Sequence, residues 1–107
     1  MSGASEKVVK VGEAELRVVS ERYNRLAGRI EVQAVVAHTG MPTPSRRAVA
    51  EALGRLYSRS PELVVVRSIE SEYGVGMSTV YAHVYEDLGR LRDLEPEHVL
   101  RRHGAGA

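Results

Sequence analysis

The chain has 107 residues, 43% of them hydrophobic, and a formal net charge of +1. This length suits one domain with a single modest core. The absence of cysteine excludes a disulfide framework and any cysteine-containing metal site. No apolar run approaches the ~18 residues of a membrane span, and the N-terminus lacks the apolar region of a signal peptide, so we expect no membrane partner.

The charges are unevenly distributed along the chain. Between residues 17 and 67, nine arginines stand against four acids, whereas between residues 70 and 97 seven acids stand against two arginines. This division predicts one surface for a polyanion and another turned away from it. The alternative is that the fold interleaves the two sets into a neutral surface.

The first half of the chain predicts two strands. We interpret residues 1–13 as a flexible N-terminal arm, although its valines could extend a strand. Residues 14–22 alternate loosely and form a first strand, and residues 23–28 form a turn in which Asn24 and Gly28 tolerate left-handed backbone. Residues 29–38 are the clearest strand, with apolar residues at every second position.

A central helix follows this second strand. Thr43 is the predicted N-cap and Pro44 the first helical residue. The apolar residues of one helical face are Val49, Ala52, Leu53, Leu56 and Tyr57. Ser60 and Pro61 are predicted to end the helix.

The second half predicts strands at residues 63–73 and 78–86, joined by a hairpin at Gly74-Val75-Gly76, and then short C-terminal helices from residue 87. The expected fold class is therefore α+β: a four-stranded antiparallel sheet with one central helix on one face, in the order β-β-α-β-β. We place the single domain at residues 14–104.

Two arginines occupy an unusual place in this helix. Arg46 and Arg47 lie in the first turn, where each positive charge opposes the helix dipole by roughly 0.3–1 kcal/mol. A bound phosphate would reverse that penalty; the alternative is that both side chains are simply solvated. Glu51 precedes Arg55 by four residues and is predicted to pair with it, which leaves Arg47 and Arg59 available.

A row of aromatic residues lies on the last strand. Tyr81, His83 and Tyr85 share one face and could stack on unpaired RNA bases. We favour the alternative that the C-terminal helix covers this face, because Leu88 and Leu91 need an apolar surface to pack against.

Signals for catalysis and for metal binding are weak. The histidines (His38, His83, His98 and His103) lack metal-ligand spacing, and we expect them to be solvated or at strand edges. No serine lies in a G-x-S-x-G motif. We expect no enzyme activity, no metal or cofactor, and no small-molecule substrate.

Several segments resemble, in order and spacing, the small-subunit ribosomal protein family numbered twenty-four, of the archaeal and eukaryotic type. They are Asn24 with Leu26 and Gly28-Arg29, the strand ending in His38, Thr43-Pro44-Ser45-Arg46, Glu62 to Val66, Ile69 to Gly74, Val84-Tyr85 and Glu95-Pro96-Glu97-His98. The resemblance runs from about residue 15 to 102. The long lysine-rich tail of eukaryotic members is missing, so the chain resembles archaeal members more closely.

The resemblance implies a structural, non-catalytic protein of the ribosome, located in the cytoplasm, that binds small-subunit ribosomal RNA beside neighbouring ribosomal proteins. By position, RNA contact is implied for Arg29, Thr43, Pro44, Ser45 and Arg46. From their charge we add Arg47, Arg59 and Arg67. Five arginines on phosphates would give a slope of log K against log salt of about −3.5 or steeper. The rival hypothesis is a protein-interaction module that docks a partner through a strand edge or the acidic C-terminal surface.

Overall fold

An antiparallel sheet forms the centre of the molecule. The structure, a computed structural model, describes residues 7–72, 76–97 and 99–101. The elements are β1 (Val8–Val11), β2 (Ala14–Asn24), β3 (Arg29–Ala37), α1 (Arg46–Tyr57), a 3-10 turn (Pro61–Leu63), β4 (Val64–Glu72), β5 (Met77–Tyr85) and α2 (Leu88–Leu94). The strand order is β1-β2-β3-β5-β4, and all neighbours are antiparallel. The predicted α+β class with a helix on the sheet is confirmed.

The prediction of four strands was wrong, because the sheet has five. The additional strand, β1, lies within the segment predicted to be a flexible arm. It pairs with β2 from Val8 opposite Arg17 to Val11 opposite Ala14, across a tight turn at Gly12, whose φ is +62°. Val11 is buried and Val9 packs against the core, so apolar burial holds the strand on the sheet. Residues 1–6 lie outside the described residues.

Helix α1 covers one face of the sheet. Its buried residues Val49, Ala52 and Leu53 pack against apolar side chains that alternate along the strands. The sheet contributes Leu16, Val32, Ala34, Val36, Val64, Val66, Val80, Ala82 and Val84 to this core. The intervening residues of each strand point to the opposite face.

The helix begins and ends elsewhere than predicted. The N-cap is Ser45 rather than Thr43, because the Ser45 hydroxyl accepts a hydrogen bond from the Ala48 amide at 3.1 Å. Pro44 therefore precedes the cap instead of occupying the first helical position. The helix ends at Tyr57, before the predicted stop at Ser60, because Ser58 adopts a left-handed conformation with φ +57°.

A close backbone approach follows this C-cap. The Arg59 amide donates to the Gly54 carbonyl at 2.8 Å, which folds the chain back over the last helical turn. A Cβ at Gly54 would lie 2.7 Å from the Arg59 carbonyl oxygen. Glycine at this position therefore allows residues 58–61 to pass close against the end of α1.

The C-terminal segment covers one end of the opposite face. Tyr85 and Val65 are fully buried there beneath Leu91 and Val99. The predicted covering of the aromatic row is thus confirmed for Tyr85. Tyr81 lies beyond the covered area and is 37% exposed. Of the predicted hairpin, residues 74 and 75 lie outside the described part of the chain, and Gly76 forms a turn with φ +69°.

Candidate nucleic-acid interface

The start of α1 presents positive charge to solvent. Arg46 and Arg47 are the first two helical residues, and the first turn contains no acid. Within the described residues, the exposed Arg46 side chain has no hydrogen bond or ion pair. The Ser45 hydroxyl caps Ala48, so the capping bond leaves the first two helical amides unsatisfied. Guanidinium groups and free amides in this arrangement suit an anion.

The pairing predicted for Glu51 was wrong. Glu51 lies 3.5 Å from the Nε of Arg47, four residues earlier, with side chains 46% and 64% exposed. Arg55 instead donates to the Lys10 carbonyl at 2.7 Å and ties α1 to β1. The exposed ion pair between Arg47 and Glu51 contributes little stability, roughly 0.3–0.5 kcal/mol. A phosphate can therefore compete with Glu51 for this arginine.

A line of polar side chains anchors the loop before α1. The Thr43 hydroxyl is 3.0 Å from that of Ser71, and Ser71 is 2.8 Å from the buried Ser78 hydroxyl. Ser78 lies 2.7 Å from His38 Nε2, while His38 Nδ1 lies 3.2 Å from the Met41 carbonyl oxygen. His38 is buried directly after the end of β3, so of the two predicted surroundings, solvent or a strand edge, solvent was wrong for this residue. The network fixes the direction in which the helix begins.

Arg59 lies apart from Arg46 and Arg47. It follows the C-cap at the other end of a 12-residue helix, a distance of about 18 Å at 1.5 Å per residue. Its side chain is exposed and makes no ion pair with any residue that the structure describes. The arginines expected to form one site therefore lie at two separate places, one at each end of α1.

Arg29 and Arg67 have intramolecular carboxylate partners. The guanidinium of Arg29 contacts Glu31 at 2.9 Å and donates to the Tyr85 hydroxyl at 2.8 Å. Arg67 donates to Glu95 at 2.9 Å, and Arg29 Nη1 lies 3.7 Å from the same carboxylate. Their position under the C-terminal segment favours a structural role over direct phosphate contact.

Glu95 is the centre of this second cluster, and no role was predicted for it from the sequence. Its side chain is fully buried and accepts from Arg67, His83 and Tyr85. Burial alone would raise the pKa of Glu95, but the bonds from His83 and Tyr85 and the nearby positive charges lower it to about 2. Burial and the bond to Glu95 raise the pKa of Tyr85 to about 12.

A sequence signal for this cluster did exist. Arg29, Arg67 and His83 lie on the strand face opposite the core, where α2 was expected to pack. Cations that a packed segment partly covers need an acid nearby, and Glu95 is the C-cap of α2. The sequence alone could not predict that these residues meet, because their proximity depends on the register between the strands.

Comparison with known proteins assigns this chain to a family. The family model described as ribosomal protein S24e matches residues 14–104. The chain belongs to the ribosomal protein S24e family. The family is one of structural ribosomal proteins rather than enzymes, and no described helix of this member is long and apolar enough to cross a membrane.

Individual relatives of this S24e chain are similar over most of their length. Small ribosomal subunit protein eS24 of Ignicoccus hospitalis is 43% identical over 93 residues, covering 87% of the chain and 89% of the relative. The protein of the same name from Methanothrix thermoacetophila is 39% identical over 88 residues, covering 82% and 89%. That of Spodoptera frugiperda is 36% identical over 93 residues, covering 87% and 70%.

Proposed function

We propose that the chain is a structural constituent of the small ribosomal subunit and binds ribosomal RNA through the start of α1. Family membership supports the ribosomal role and the expected location on cytoplasmic ribosomes beside other ribosomal proteins. The observation that carries the RNA contact is the exposed Arg46–Arg47 pair on an acid-free first turn. The relatives' names describe the subunit and not this contact.

The geometry at the start of α1 suits recognition of the RNA phosphate backbone. Arginine forks bind phosphate oxygens in bidentate fashion, and helix N-terminal amides add directional donors. The hydrogen-bonded line from Thr43 to His38 holds the helix start against the sheet. RNA duplexes are recognised mainly through shape and backbone, so this rigid cationic corner would bind with little sequence preference.

The salt dependence should be smaller than the sequence alone predicted. Arg29 and Arg67 are paired with buried or partly buried carboxylates, which leaves Arg46, Arg47 and Arg59 as phosphate contacts in this proposal. Three contacts give a slope of log K against log salt of about −2 rather than −3.5.

Replacing Arg46 and Arg47 by alanine tests the proposal. We expect the double variant to bind small-subunit ribosomal RNA at least about tenfold more weakly at moderate salt, since each charge-assisted bond is worth roughly 1.5–3 kcal/mol. The measurement is filter binding together with cosedimentation with small subunits that lack this protein. The matched control removes two exposed arginines from the C-terminal segment, Arg92 and Arg101. Equal loss in both variants would show that only net charge matters and would reject this site.

A further inference from the structure

Resting on the proposed ribosomal role, we propose a second RNA contact: the uncovered part of the sheet face opposite α1 binds one unpaired nucleotide. Its base would stack on Tyr81 and its phosphate would lie at Arg22. This surface is separate from the start of α1, because the sheet lies between them. The protein would therefore contact RNA on both of its faces.

The site is a shallow depression of about 240 Å³ between β2, β3 and β5. The strand register aligns Ser20, Gln33 and Tyr81 in one row across three strands. The next row contains Arg22, Glu31 and His83. An aromatic ring, an amide, a hydroxyl and a guanidinium group thus line one concave surface, which is a set of groups suited to a nucleotide.

The polar groups of this depression are available for a ligand. Among the described residues, the side chains of Ser20, Arg22 and Gln33 have no hydrogen-bond or ion-pair partner. Tyr81 is 37% exposed, whereas Tyr85, two residues on, is fully buried. The amide of Gln33 can donate to and accept from a base edge beside the ring of Tyr81.

His83 is held in a defined orientation at the edge of the depression. Its Nδ1 lies 2.6 Å from the buried Glu95 carboxylate, which accepts hydrogen bonds only, so Nδ1 carries a proton. The other ring nitrogen has no partner among the residues that the structure describes. Glu95 therefore serves as a positioning residue for one more base-edge contact.

The charge pattern orients the bound strand. On this face β2 carries the exposed Arg22 and Arg17 and one exposed acid, Glu15. The acid that lines the depression, Glu31, is paired with Arg29 at 2.9 Å. At the other side of the sheet, β4 carries the exposed Glu70 and Glu72. A polyanionic backbone would follow β2, about 14 Å from β4 at ~4.8 Å per strand.

The test compares two RNA probes with the intact protein: single-stranded octaadenylate and a 16-base-pair RNA duplex, each followed by fluorescence anisotropy. Tyr81→Leu should lower the affinity for octaadenylate about 5- to 100-fold, the range for one base stacked on an aromatic ring. Tyr81→Phe should retain that affinity because it keeps the ring. Affinity for the duplex should stay unchanged in both variants.

The control is Tyr23→Leu, which removes a tyrosine that is 53% exposed outside the depression and should leave octaadenylate binding unchanged. Amide chemical shifts provide a second readout: octaadenylate should perturb Gln33, Tyr81 and Arg22. Unchanged affinity of Tyr81→Leu, an equal loss in Tyr23→Leu, or shifts confined to α1 would overturn the inference. Loss of duplex binding in the Arg46 and Arg47 double variant tests the proposed function separately.

Discussion

At the residue scale, Glu95 joins the basic and acidic parts of the sequence. Arg29 and Arg67 belong to the basic stretch, and both approach this carboxylate from the acidic stretch. The sequence could identify the charge excess of each stretch. It could not show that two arginines are held by one buried acid, because that depends on the register of β3, β4 and β5.

Glu95→Gln should destabilise the fold by about 2–3 kcal/mol, because the partly buried cations around this buried carboxylate lose their counter-charge. The measurement is urea unfolding followed by circular dichroism. Glu97→Gln is the matched control: the Glu97 side chain is 80% exposed, and its partner among the described residues is Arg101, four residues later. Similar stability of the two variants would contradict the structural role of Glu95.

The same carboxylate predicts the acid response. Its pKa is about 2 in the folded protein against an ordinary value of 4.5, so its contribution is complete above about pH 4.5 and is lost as the pH falls towards 2. By linkage the loss is about 3 kcal/mol. Unfolding free energies measured between pH 6 and 2 should fall steeply below pH 4.5, and the fall should be shallower in Glu95→Gln. Identical pH profiles for the two proteins would contradict this assignment.

At the element scale, α1 shows which features of a helix could be predicted from the sequence and which could not. Helical periodicity correctly placed Val49, Ala52 and Leu53 on the buried face. The N-cap was misplaced because Thr43 and Ser45 are both good capping residues, and Thr43 is engaged by Ser71 across the fold. The β1 strand was missed as an element because pairing with β2, rather than local periodicity, stabilises its four residues.

Gly54→Ala should destabilise the protein by about 1–3 kcal/mol, the usual range for overpacking. The reason is that the new Cβ would lie 2.7 Å from a backbone oxygen, although alanine has the higher helix propensity. Gly89→Ala, at an exposed glycine in α2, should change stability by less than about 1 kcal/mol. Thermal unfolding of both variants measures the difference; an unchanged melting temperature for Gly54→Ala would contradict the close approach.

Replacing Arg46 and Arg47 by alanine should not lower the melting temperature. Each substitution removes a charge that opposes the helix dipole by roughly 0.3–1 kcal/mol. Among the residues that the structure describes, the ion pair lost is the exposed one between Arg47 and Glu51. Calorimetry of the free double variant measures this. A clearly lower melting temperature would show that the pair stabilises the fold and is not reserved for a ligand.

At the scale of the whole molecule, the sheet separates two surfaces of different character. The core face carries α1 with its basic start, and the opposite face is divided between the Glu95 cluster and the open depression around Tyr81. The sequence correctly predicted a basic helix start and an α+β sheet. It could not show that Tyr85 is covered and Tyr81 is open, because this depends on where the packing of Leu91 and Val99 on the sheet ends.

Directed hydroxyl-radical probing in assembled small subunits shows whether ribosomal RNA lies beside the start of α1. Because the chain has no cysteine, a single cysteine can carry the iron tether, either as Glu51→Cys beside the start of α1 or as Asp93→Cys on α2, which packs on the opposite face of the sheet. If the start of α1 binds RNA, ribosomal RNA should be cleaved strongly at discrete positions from residue 51 and more weakly from residue 93. Cleavage from residue 93 with none from residue 51 would contradict it.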